Sequence, residues 1–228
     1  MTQKEKYALE WNNSAQFFYD HNSYKHLSDQ IRKYKTVLEI GCGTGQSTLA
    51  LLEAGHAVIG LKFKNASEVQ KVTIIPRGQA GGYNLMTPRE ETYTSTKTEL
   101  LERICGSLGG RVAEEITFGE ITTGAYQDLK TATRIARAMV AEYGMSDLGP
   151  IQYEQQGGSV FLGRDYLKDK NFSDAVAHEI DNEVRKIIFN CLEKTRQVLN
   201  EHNDLLTAIA EYLLKVETLT KSDIDEIH

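Results

Sequence analysis

A mainly α-helical domain carrying a small β-sheet, preceded by an N-terminal α/β Rossmann-like fragment, is the fold class this sequence predicts. Three observations lead there. The apolar run Thr36, Val37, Leu38, Glu39, Ile40 ends in a glycine loop and opens a helix, the strand, loop and helix order of nucleotide-cradling units. Two short β-type runs, at 71–76 and 82–86, are joined by the turn-rich Arg77, Gly78, Gln79, Ala80 and Gly81, which reads as a hairpin. From Thr96 onward apolar residues recur at steps of three and four, the helical period.

Composition bounds the answer further. The chain has 228 residues, 40% of them hydrophobic and 25% charged, with 3 Pro, enough to bury a core and too apolar for a disordered chain. A formal charge of −6 would repel a phosphate backbone, so nucleic acid is not an expected partner. Cys42, Cys105 and Cys191 stand far apart without C-x-x-C spacing, which argues for a reducing compartment and against a thiolate zinc site. No run reaches about 18 apolar residues, and the first ten residues lack a signal-peptide core. The expected location is therefore the cytoplasm. Residues 1–51 hold six Lys/Arg and five Asp/Glu, and the remainder twenty and twenty-seven. That shift places a domain boundary between 1–51 and 52–228.

The elements follow in order. Ser23 caps a helix through Leu27 and Ile31, the strand at 36–40 follows, and a second helix covers 47–54. After the hairpin, Thr96 with Glu99 forms a capping-box signature that opens a helix through Leu100, Leu101 and Ile104. Gly109 and Gly110 are expected to break it before it resumes through Val112. Another helix starts at Thr123 or Gly124 and is closed by Gly144. Ser173 caps the longest, in which Val176, Ile180, Val184, Ile187, Cys191 and Val198 form a stripe. A last helix spans about 204–214.

Glycines in a strand-to-helix turn serve either ligand approach or tight packing. The fuller run VLEIGCGTG at 37–45 resembles the first motif of class I S-adenosylmethionine-dependent methyltransferases. That resemblance covers about residues 11–60 and implies Glu39, Gly41, Gly43 and Gly45 as cofactor contacts. The pattern then departs, because Leu61 and Lys62 stand where such a fold needs an acidic residue. No later strand series completes its sheet, so S-adenosylmethionine binding is not expected.

Leu52-Glu53-Ala54-Gly55-His56 carries different chemistry. In H-E-x-x-H the two imidazoles share one helix face and reach one Zn2+ while the glutamate activates water. Here the second His and the Glu are in place, and the first position is a leucine. From this stretch onward the chain resembles the peptidase domain of FtsH-type ATP-dependent zinc metalloproteases. The matching runs are EAGHAVIG (53–60), KVTIIPRG (71–78), GGRVAEEITFGEITTGA (109–125), QDLKTAT (127–133), AEYGMSDLGP (141–150), FLGRD (161–165) and EIDNEVRKII (179–188). The resemblance implies His56 and Asp128 as zinc ligands and Glu53 as general base. It further implies a mostly helical hydrolase acting on unfolded or extended polypeptides at a sheet edge; the family forms hexamers held partly by its ATPase module, so a weak oligomer or monomer is expected here. Members of that family also carry a membrane anchor and an ATPase module, and no P-loop motif occurs in this sequence.

Both families can carry a string like LLEAGHAVIG (51–60), so the chain reads as a fusion joined through that shared stretch, which is open to two structures. As a methyltransferase piece, Gly55 would end the helix and 56–61 would form a strand; as a protease piece, the helix would run through about Ile59. The protease-like packing partners favour the continuous helix, which puts His56 and Asp128 within reach of one ion. With Leu52 at the first ligand position, weak zinc occupancy and at most trace peptidase activity are expected. The alternatives are a non-catalytic assembly module and, last, a cofactor-binding remnant. A rescue in which Glu53 ligates beside His56 and Asp128 would leave no free base. His178 and Glu179 are expected to be a surface pair.

Overall fold

The computed structural model describes residues 46–63, 65, 67–76, 81–87, 94–154 and 172–227. The expected strand at 36–40, the glycine loop with Glu39, Gly41, Gly43 and Gly45, and the helix capped by Ser23 lie outside the described residues. Those described belong to one compact unit.

Six helices, a 3-10 turn and three strands are described. They run α1 (Gln46–Lys62), β1 (Glu68–Thr73), β2 (Tyr83–Thr87), α2 (Lys97–Phe118), the turn Thr123–Ala125, α3 (Tyr126–Ala141), α4 (Asp174–Glu201), α5 (Asn203–Val216), β3 (Thr218–Thr220) and α6 (Lys221–Ile227). The domain is thus mostly helical with one small antiparallel sheet of order β2-β1-β3. Among the described residues no helix is long and apolar enough to cross a membrane.

α1 is the central element. Residues 50–55 and 57–59 are all buried, as expected of a helix apolar around its whole circumference. It touches α2, α4, α5, β1 and β2. The helix runs unbroken through Gly55 and His56, so the continuous reading of this stretch holds and the strand at 56–61 does not form. Burial on every side settles the matter, since a strand there would forfeit those packing partners.

The hairpin forms as expected, with Val72 opposite Asn84 and Thr73 opposite Tyr83 and an irregularity between Val69 and Lys71. β3 was not anticipated. Its three residues pair with the far edge of β1, Leu219 opposite Val72, and the corner is fixed where the Glu217 carbonyl accepts from Ile74 N–H and Thr73 Oγ1.

α2 corrects one expectation: it is a single helix of 22 residues, and Gly109 and Gly110 do not interrupt it. Their role is clearance. A Cβ on Gly109 would lie 2.7 Å from the Gly55 carbonyl oxygen, and one on Gly55 would lie 2.5 Å from that of Gly109. Real side chains do not approach so closely, so the two glycines let α1 and α2 cross backbone to backbone. Both capping-box hydrogen bonds are present, Glu99 N–H to Thr96 Oγ1 at 3.2 Å and Thr96 N–H to Glu99 Oε2 at 2.8 Å. Ser173 caps α4 as expected, and His178 and Glu179 are exposed on it.

Candidate metal centre

The α1–α2 crossing positions the chemistry. Leu52 and His56, one helical turn apart, project from the same side of α1 toward Gly110 of α2. A Cβ at Gly110 would stand 2.8 Å from His56 Nε2 and 2.9 Å from Leu52 Cδ2, and one at Gly124 2.9 Å from Leu52 Cδ1. Leu52 therefore sits wedged between two glycines beside the imidazole, 6% exposed.

His56 is oriented from both ring nitrogens. Nδ1 lies 2.8 Å from the Gly106 carbonyl on α2. A carbonyl only accepts, so Nδ1 carries the proton and Nε2 faces outward. Nε2 stands 3.4 Å from Asp128 Oδ2. Two donors held at about 2.0–2.2 Å by one tetrahedral Zn2+ stand roughly 3.3–3.6 Å apart, so this pair has chelating spacing. Burial pulls the imidazole pKa down, yet the hydrogen bond and charge of Asp128, the charge of Glu53 and the Gly106 carbonyl outweigh it and hold it above the ordinary value.

Asp128 enters from the first turn of α3, whose start is anchored by α2. The Glu114 carboxylate, fully buried, accepts from Thr122 Oγ1 at 2.6 Å and from Thr122 N–H at 3.2 Å, while Thr122 Oγ1 caps Gly124 N–H at 3.1 Å. One helix thus supplies the acceptor that aims His56 and the carboxylate that pins the turn before Asp128.

Glu53 is held by the hairpin. Its Oε2 accepts from Asn84 Nδ2 at 2.5 Å, and the same amide donates to the Glu53 main-chain carbonyl at 3.0 Å. Both partners are acceptors, which fixes the amide nitrogen toward Glu53 and leaves Asn84 Oδ1 buried without a partner among the described residues. Burial raises the Glu53 pKa, opposed by the charge of His56 and the Asn84 hydrogen bond and reinforced by the charge of Asp128.

Of the candidate residues in the described part, the structure brings His56 and Asp128 together, with Glu53 in the adjoining turn of α1. Sequence reasoning missed Gly106, Glu114, Thr122 and Asn84. Glu114 left a faint trace, a carboxylate between Ala113 and Ile116 within an apolar stretch. Asn84 left none.

The donor spacing suits a zinc ion and the donor number does not. Leu52 offers carbon where a ligand is needed, and Glu53 is engaged by Asn84. Among the described residues no group of three or more His, Cys, Asp and Glu is arranged to hold a metal. The described residues do not by themselves make up a complete zinc site.

An antiparallel sheet edge, a central helix carrying Glu53 and His56, and a carboxylate delivered from a neighbouring helix define a metallopeptidase-type body. The family model for Peptidase family M41 matches residues 43–227, and the chain belongs to that family. It is 68% identical over 179 residues to the ATP-dependent zinc metalloprotease FtsH of Acholeplasma laidlawii (strain PG-8A), covering 78% of this chain and 28% of that one. The protein of the same name from Bacillus subtilis (strain 168) is 55% identical over 184 residues, 80% of this chain and 29% of its own. That from Mesomycoplasma conjunctivae (strain ATCC 25834 / NCTC 10147 / HRC/581) is 52% identical over 203 residues, 88% and 26%. The chain thus spans little more than a quarter of the length of these relatives. The match to the family begins at 43, so Gly43 and Gly45 fall within it.

Proposed function

We propose that this chain is an M41-type peptidase domain with an incomplete zinc centre, retaining the family's body while its peptidase activity is reduced to a trace or lost. The observation that carries the reading is Leu52, packed against Gly110 and Gly124, the first of which also adjoins His56 Nε2, at the place where the H-E-x-x-H pattern requires a histidine. His56 and Asp128 are assigned as the two remaining ligands and Glu53 as the general base. Perturbing only an outer partner of a metal ligand costs about 10–100-fold in affinity or activity. Losing a ligand itself costs more.

The substrate class in this reading is unfolded or extended polypeptide, added along β2. That strand pairs only with β1 among the described residues, and main-chain pairing there would recognise backbone more than side chains. The division into 1–51 and 52–228 belongs to the same proposal, with α1 as the element through which the two segments join. S-adenosylmethionine has no part in it. Association with itself or with hexamers of FtsH-type relatives is the role left to such a body without catalysis, and the missing donor favours that second reading.

The deciding experiment measures zinc content and casein cleavage for the chain and for Leu52→His. The unchanged chain is expected to hold little zinc and to cleave at trace level, whereas Leu52→His binds about one zinc per chain and gains measurable cleavage. Full zinc loading with robust cleavage by the unchanged chain would overturn the proposal. Failure of Leu52→His to bind zinc would show that more than one donor is wrong.

A further inference from the structure

Away from the metal site, α2 and α4 bring two thiols together. Cys105 and Cys191 are free and buried. The Cys105 thiol donates to the Cys191 carbonyl at 3.6 Å, and the Cys191 thiol donates to the Leu101 carbonyl at 3.8 Å. Each sulfur therefore reaches the backbone of the opposite helix, and these two contacts set Cys105 and Cys191 next to each other across the α2–α4 interface. Thr195 Oγ1 donates to the Cys191 carbonyl at 2.8 Å and reaches the Cys105 carbonyl at 3.4 Å, which holds the two helices in register at this point.

We propose that Cys105 and Cys191 are a reversible modification site at which hydrogen peroxide closes a disulfide between α2 and α4. A buried cysteine ordinarily serves as a small apolar side chain. Two of them facing each other across one helix pair, with their carbonyls tied by one hydroxyl, are arranged for more than packing. In a reducing compartment such pairs are transient and responsive. The proton distribution supports the order of events. The neighbouring Cys191 thiol lowers the Cys105 pKa against the opposing effect of burial, assisted by Thr195 and Lys194, whereas Cys105 and burial push Cys191 up. Cys105 is the thiolate-forming partner.

The chemistry closes. The Cys105 thiolate attacks one peroxide oxygen, breaking the O–O bond, and the sulfur leaves as sulfenic acid while hydroxide takes up a proton as water. The Cys191 sulfur then attacks the sulfenic sulfur, the S–O bond breaks, a second water departs, and the Sγ–Sγ bond forms. Two thiols and one peroxide become one disulfide and two waters. A small oxidant is required because Cys105 is wholly buried and a bulky disulfide could not reach it. Cys105 immediately precedes Gly106, whose carbonyl aims His56, so the staple lies one peptide away from the metal site.

The test treats the full chain with hydrogen peroxide under native conditions and maps unreduced tryptic peptides. Residues 104–111 and 187–194 are expected to appear linked, about 2 Da below the sum of the reduced pair, and to separate with dithiothreitol. The thermal midpoint of the oxidised chain should rise by about 5–10 °C. Cys105→Ser and Cys191→Ser should each abolish the linked species, with Cys105→Ala and Cys191→Ala as controls should serine disturb folding. Recovery of both peptides as free thiols or sulfinic acids, linkage to Cys42 alone, or linkage only in denaturant would overturn the proposal.

Discussion

Along α2, Gly109 meets α1 with no side chain between the backbones; on the adjoining face, Leu101 and Cys105 meet α4 through carbonyl and thiol contacts. Leu101, Cys105, Leu108 and Val112 fall on this second face at helical spacing. The first face also carries the Gly106 carbonyl against His56, and Glu114 fixes the turn leading to Asp128. The comparison separates two ways of holding a helix. Where a site must be aimed, clearance is used and side chains are absent; where the body must be stabilised, volume is used and side chains interlock.

Substitutions that add or remove volume on each face sharpen this contrast. Leu108→Ala should have the largest effect, a loss of about 2–5 kcal/mol in urea unfolding, because the side chain is 1% exposed and its removal leaves a cavity. An effect below about 1 kcal/mol would mean that the stabilising face has been misassigned. Gly109→Ala should cost about 2 kcal/mol, since overpacking against a carbonyl exceeds the gain in helix propensity. It should also disturb the His56 imidazole resonances, which Leu108→Ala should affect less. Gly106→Ala comes last and with opposite sign. A Cβ there meets nothing within 4 Å, so the change should stabilise by up to about 1 kcal/mol. Destabilisation by Gly106→Ala would break the claim that only the crossing residues need clearance.

Local signals survived where local chemistry decides the outcome. Thr96 with Glu99, and Ser173 before α4, are complete caps within four residues, so the sequence reveals them. The spacing of apolar residues likewise located α2 to α5. Signals failed where a distant partner decides. Gly109 and Gly110 read as a break because helix propensity counts their entropic cost, while the benefit lies on α1 more than fifty residues away. β3 is three residues long and exists through pairing with β1, so no periodicity announces it. At the candidate site, His56, Glu53 and Asp128 were legible through family resemblance. Asn84, which engages Glu53 from β2, was not, because a polar residue in a hairpin strand ordinarily faces solvent.

The Gly55–Gly109 seam bears on how the protein responds to compression. Hydrostatic pressure favours unfolded states by eliminating internal voids, and a joint with no room for a methyl group has none to surrender. Pressure-driven opening should therefore begin in the side-chain-packed layers. The amide protons at the seam should be among the last to exchange with deuterated solvent, outlasting those at the fraying ends of α2.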